Sequence, residues 1–157
     1  MKKMILLLAS MALAMVLVSG VALAAPKKGT SGGDTGTTTD GSTITVIYGG
    51  ELITATVHEG TSGDDTIIGT PENDAIKGYD GNDHLYGDPS QDVGGKDYIA
   101  GGNGDDTIDG GPNADLLSGG SGNDQINAAD GTKDWVYCGD GVDTVEADSV
   151  DELYNCE

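Results

Sequence analysis

From Gly60 onward one aliphatic side chain recurs about every nine residues, each two places after an aspartate. The pairs are Asp65 with Ile67, Asp74 with Ile76, Asp83 with Leu85, Asp97 with Ile99, Asp106 with Ile108, Asp115 with Leu117, Asp124 with Ile126, Asp134 with Val136 and Asp143 with Val145. Most residues between the pairs are polar or small. A lone aliphatic between two such neighbours predicts a three-residue strand, one side chain facing in and two facing out. The glycines ahead of each aspartate predict a tight turn, since they tolerate positive φ and close backbone approach. Turn and strand together take nine residues, so two units make one 18-residue coil. Stacked coils give two facing parallel sheets with a column of turns along each edge. About five extra residues enter the unit that opens at Gly87, and one enters the unit that opens at Ala128.

Alternate units share an edge, and the two edges differ. The units of Asp65, Asp83, Asp106, Asp124 and Asp143 keep a glycine at the fourth position: Gly63, Gly81, Gly104, Gly122 and Gly141. On the other edge Glu72 and Asn113 stand there, and Pro71, Pro89 and Pro112 occupy third positions, where a fixed φ and a missing donor suit another turn. One regular and one degraded ladder of turns is expected.

Ahead of the repeats, Thr43–Tyr48 and Glu51–Val57 alternate around Gly49-Gly50 and predict a hairpin over 43–59 that caps the first coil. Residues 26–42 have the composition of a flexible linker. Lys2 and Lys3 followed by the apolar run Met4–Ala24, with Ala22 and Ala24 before the break, predict a secretory signal peptide over 1–25. An uncleaved anchor is the alternative, because the run is long enough to span a bilayer. The expected organisation is therefore leader, linker, hairpin, repeats over 60–146 and a C-terminal cap over 147–157.

Composition sharpens this picture. The chain holds 27 acidic residues against 7 basic ones, with no Phe and one Trp, and a formal net charge of −20. Such a charge opposes compaction unless it is neutralised, and nothing basic is available to meet nucleic-acid phosphates. The core is thin as well, so neutralisation has to help the fold. Carbonyls gathered in a glycine turn, together with one carboxylate per unit, make the all-oxygen shell that a hard cation such as Ca²⁺ prefers. Without metal, the acidic chain is expected to be unfolded. With millimolar extracellular calcium about tenfold above Kd, each site would add about 1.4 kcal/mol.

Cys138 and Cys156 are one coil apart, which places them on adjacent turns about 4.8 Å from each other. A disulfide tolerates that separation, and export would supply oxidising conditions, so a bridge stapling the last coil is expected. His58 and His84 are the only histidines and read as solvent-exposed. No nucleophile elbow, zincin helix or EF-hand loop is present, and no helix follows Gly101–Gly104 to make a nucleotide loop. No enzymatic role is expected.

The run Gly101–Asp109 matches the nonapeptide G-G-x-G-x-D-x-U-x at every fixed place, and from Gly60 to Glu146 the chain resembles the RTX, or haemolysin-type, calcium-binding repeat family. The resemblance implies an all-β, right-handed parallel β-roll with several Ca²⁺ ions held between turns. Carried over, the ligands are Asp65, Asp83, Asp106, Asp124 and Asp143 on the better edge and Asp74, Asp97 and Asp115 on the other. Main-chain oxygens of Gly60, Gly78, Gly101, Gly102, Gly104, Gly119, Gly120 and Gly122 join them. Many members place the repeats behind a protease, lipase or pore-forming domain, for which this chain has no room. The expectation is thus a small secreted or cell-surface calcium-binding protein, with no membrane span after signal cleavage. The alternative is a surface module that adheres to a glycan or protein and uses calcium only structurally.

Overall fold

The structure is a computed structural model that describes residues 38–48, 51–88, 90 and 92–156. The expected signal peptide and most of the linker lie outside these residues. Twelve strands follow in chain order: β1 Thr38–Tyr48, β2 Glu51–Glu59, β3 Thr66–Ile68, β4 Asp74–Asp80, β5 His84–Tyr86, β6 Tyr98–Asn103, β7 Thr107–Asp109, β8 Leu116–Ser121, β9 Gln125–Ala128, β10 Trp135–Asp140, β11 Thr144–Ala147 and β12 Glu152–Tyr154. They form a seven-stranded sheet, β1-β2-β4-β6-β8-β10-β12, and a five-stranded sheet, β11-β9-β7-β5-β3. β1 and β2 are antiparallel, and every other pairing is parallel. This is the parallel β-roll that the nine-residue period predicts, preceded by the hairpin that the alternation in residues 43–57 predicts.

The register shows why the period works. In the larger sheet Ile76 lies beside Ile99, Ile99 beside Leu117, Leu117 beside Val136 and Val136 beside Leu153. In the smaller one Ile67, Leu85, Ile108, Ile126 and Val145 make the matching column. Apart from Leu153, which is exposed at the end of its column, the two columns meet between the sheets as one core, in which Ile67, Ile76, Leu85, Ile99, Leu117 and Val136 are fully buried. Each such side chain contributes about 1.5–3 kcal/mol, and a one-residue slip would turn a whole strand's aliphatic outward. A second cluster forms on the outer face of the larger sheet. There Ile53 and Leu116 pack with Ile44, Tyr98, Ala114, Trp135 and Tyr137, so the hairpin is seated by apolar contact as well as by its pairing with β4.

Three details differ from the sequence reading. β1 starts at Thr38, inside the stretch whose composition reads as linker; its pairing breaks between Thr39 and Thr43 and resumes to Tyr48. The strand ladder continues past Glu146, because β12 pairs in parallel with β10; the segment expected as a cap contains a further strand of the roll. His58 is buried and not exposed, at 2 % accessibility. β2 sets it opposite Ile76, so it occupies the inward column where the coils have aliphatics. His84, on β5, is exposed as expected. Cys138 and Cys156 are joined, with Cα atoms 5.0 Å apart, and Tyr137 stacks on Tyr154 beside them.

Candidate metal-binding turns

The regular edge is built from turns that lead from the larger sheet into the smaller one. From the second turn onward their second and fourth residues have positive φ: Tyr79 and Gly81, Gly102 and Gly104, Gly120 and Gly122, and Gly139 and Gly141. Close stacking adds a second reason for glycine. A Cβ at Gly120 would land on the Gly102 carbonyl oxygen, and one at Gly122 on that of Gly104. First-position glycines answer another demand. A Cβ on Gly60 would stand 2.7 Å from Asp65 Oδ2 and 2.6 Å from the Gly78 carbonyl oxygen. Gly78, Gly101 and Gly119 repeat that arrangement with Asp83, Asp106 and Asp124. A carboxylate oxygen of one unit and a carbonyl oxygen of the next coil thus face the same bare Cα.

The aspartates themselves form ladders. On the regular edge the N–H of Asp65 donates to Asp83 Oδ1, that of Asp83 to Asp106, that of Asp106 to Asp124 and that of Asp124 to Asp143, at 2.8–2.9 Å. On the other edge Asp74 donates to Asp97, Asp97 to Asp115, Asp115 to Asp134 and Asp134 to Asp151, at 2.7–3.0 Å. The second edge is therefore degraded in its turns, where Asn113 takes positive φ, but not in its aspartates. Asp134, absent from the expected ligands because its unit opens at Ala128 with an extra residue, is fully buried and part of this ladder. Asp143, which was expected, is only half-buried at the open end.

Burial leaves a consistent remainder. Asp83, Asp97, Asp106, Asp124 and Asp134 each keep an Oδ2 without a hydrogen-bond partner, and Asp65 keeps such an Oδ1. Desolvation, reinforced by neighbouring carboxylates, pushes Asp83 up to about 6, Asp106 and Asp134 to about 7, Asp97 to about 8 and Asp115 to about 10. Asp74 differs from the rest. His58 Nε2 lies 2.8 Å from its Oδ1, and Thr70 donates both its N–H and its hydroxyl to Oδ2. Thr61 does the same for Asp65 Oδ2.

These residues fit a hard cation. Buried, unpaired carboxylate oxygens facing carbonyl oxygens call for positive charge and offer only oxygen ligands. Among the described residues no three acidic or histidine side chains converge as a metal cluster, so main-chain oxygens would have to complete any shell.

A two-sheet parallel roll whose turns stack carboxylates in register defines the class: a repeat solenoid with carboxylate-lined turns. A family model for the RTX calcium-binding nonapeptide repeat, in four copies, matches residues 59–94 and 92–126, and this stretch belongs to that family. The repeats indicate calcium binding. No curated protein matches the sequence. Among solved structures, the solution structure of the AlgE6R3 subunit from the Azotobacter vinelandii mannuronan C5-epimerase is 30% identical, over 50% of this chain and 46% of that one, with a TM-score of 0.41. The chain thus spans less than half of that subunit.

Proposed function

We propose that the protein is an exported calcium-binding module whose β-roll folds when extracellular Ca²⁺ occupies the spaces between successive turns. The observation that carries this reading is the row of buried carboxylate oxygens without partners on both edges. Asp83, Asp106 and Asp124 would hold ions on the regular edge, with Asp65 and Asp143 at its ends. Asp97, Asp115 and Asp134 would do so on the other. Asp74, whose two oxygens already have partners, contributes least. Bound calcium would supply the positive charge that lets these carboxylates ionise inside the fold. The chain's own part is to align one carboxylate per turn through the N–H to Oδ1 ladder and to clear its surroundings of Cβ atoms. No catalytic role is assigned, and among the described residues no helix is long and apolar enough to cross a membrane.

The test is a calcium titration followed by far-UV circular dichroism, with magnesium as control. A cooperative coil-to-β transition with calcium alone supports the proposal. A roll already formed in chelator, or never formed, refutes calcium-driven folding. A second reading, adhesion to a cell-surface glycan or protein with calcium only structural, is favoured by the aromatic groups of the larger sheet's outer face. Trp135 lies under Lys133, 4.9 Å from its ring centre, and Tyr137 stacks on Tyr154. Binding on a glycan array that is lost in Trp135→Ala while the calcium response persists would support that reading.

A further inference from the structure

The unit that opens at Gly87 departs from the others in two ways. Ladder bonds that span 17–19 residues elsewhere span 23 across it, which measures its inserted loop. Its second residue is Asp88, where the other units have Gly, Thr, Ala or Tyr. The repeat gives no ligand role to a side chain at that place, yet Asp88 is buried, at 7 % accessibility. Its Oδ1 accepts the N–H of Gly95 at 3.3 Å, closing the loop on itself. Its Oδ2 has no hydrogen-bond partner.

Two glycines define the space that Oδ2 faces. A Cβ on Gly111 would stand 2.7 Å from it. A Cβ on Gly94 would collide with it and stand 2.6 Å from the carbonyl oxygen of Pro112. A carboxylate oxygen from the inserted loop and a carbonyl oxygen from the following turn therefore converge where no side chain intrudes. The charges acting on Asp88 include those of Asp74 and Asp109, which disfavour its ionised form, although desolvation is the larger cause of its rise to about 6. A buried carboxylate oxygen without a hydrogen-bond partner calls for a positive partner.

We propose that Asp88 and the Pro112 carbonyl form a site for a hard divalent cation, Ca²⁺, that belongs to the insertion and is separate from the sixth-position aspartates. Calcium suits it better than magnesium, because it accepts irregular shells of carboxylate, carbonyl and water oxygens, whereas magnesium demands a near-ideal octahedron. The ion pins the loop between Asp88 and Gly95 to the turn at Gly111–Pro112.

The test counts bound calcium per chain by equilibrium dialysis in the wild type, in Asp88→Asn and in Asp106→Asn. Asparagine keeps an acceptor for the Gly95 N–H. Asp88→Asn is expected to lose one ion at saturating calcium, keep the β spectrum, and exchange its amides faster between residues 92 and 95. An unchanged count in Asp88→Asn beside a reduced one in Asp106→Asn overturns the insertion site and leaves the ladder reading standing. A wild type that binds no calcium overturns both. Should Asp88→Asn fail to fold, Gly94→Ala decides, since its Cβ would occupy the ion's place without demanding positive φ. Loss of one ion supports the site, and an unchanged count refutes it.

Discussion

Replacing Asp106 by asparagine is expected to stabilise the calcium-free roll and to destabilise the calcium-loaded one. The inversion follows from the two oxygens of this side chain. Oδ1 accepts the N–H of Asp83 at 2.8 Å, and an amide oxygen can do the same. Oδ2 is buried without a partner, and desolvation, opposed by that hydrogen bond and helped by Asp83, Asp124 and Asp105, lifts the carboxyl from 3.8 to about 7. That rise corresponds to about 4 kcal/mol against the ionised form, and screening around so acidic a turn brings the working figure to about 2 kcal/mol. Asp106→Asn removes this cost at pH 8, whereas Asp106→Ala also strands the Asp83 N–H, at about 1–3 kcal/mol, and comes out near neutral. With calcium the order reverses, because both variants lose a charged ligand. The assay is the osmolyte concentration needed to fold each chain in chelator, set beside thermal melting in millimolar calcium. If Asp106→Asn needs as much osmolyte as Asp106→Ala, or more than the wild type, the buried carboxylate is not a liability of the metal-free fold and the reasoning fails.

The raised carboxyls also fix a pH dependence. Between pH 4 and about 7 the metal-free roll binds more protons than the unfolded chain, so its stability is highest at the acid end and falls as pH rises through the folded values of Asp83, Asp106 and Asp134. Circular dichroism in chelator should show more β structure at pH 5 than at pH 8, while calcium affinity rises with pH because binding displaces protons; loss of structure on acidification would contradict this. Gly120→Ala, at φ +121 and against the Gly102 carbonyl, should cost about 2 kcal/mol or more in a calcium-loaded melt, whereas Gly63→Ala, with nothing within 4 Å, should be near neutral. Cys156→Ser should lower stability by about 3 kcal/mol through the 18-residue loop that it opens. Hydrogen exchange should place the loosening in β10 and β12, and uniform loss of protection would make the bridge global and not local.

What the sequence made legible was everything tied to the period. The lone aliphatics, the alternation of edges and the one-coil spacing of Cys138 and Cys156 follow from nine residues per unit, because stacking repeats each position every 18 residues. His58 lies ahead of the first repeat at Gly60, where the glycine and aspartate pattern gives it no place. Its distance from Ile76 is one coil, and that spacing marked it as a core position. Glycines and prolines mark the second edge as degraded because they report on turn shape. Its aspartates depend only on the coil spacing that brings an N–H over an Oδ1, which a proline three residues earlier does not disturb. Asp88 carries no periodic signal at all, since its surroundings come from how an insertion folds back on Gly94 and Gly111.

The first coil shows what the others lack. At Asp74 a histidine nitrogen and the N–H and hydroxyl of Thr70 occupy both carboxylate oxygens, while Asp106 and Asp124 on the opposite edge have glycine at the place of that threonine and keep Oδ2 unpaired. Side-chain and main-chain donors thus perform at the N-terminal end the neutralising work that inner turns leave to a cation. Hydrogen bonds to a charged group are worth about 1.5–3 kcal/mol each, comparable to an occupied site. Order in the turn Gly69–Asp74 should therefore survive at calcium levels too low for the turns Gly101–Asp106 and Gly119–Asp124. Hydrogen exchange at subsaturating calcium reads this directly, with protection expected first beside the hairpin. His58→Leu fills the same column but removes the donor to Asp74, and should shift the onset to higher calcium. If protection instead rises in all turns at one concentration, in the wild type and in the variant alike, the donors at Asp74 do not substitute for the ion.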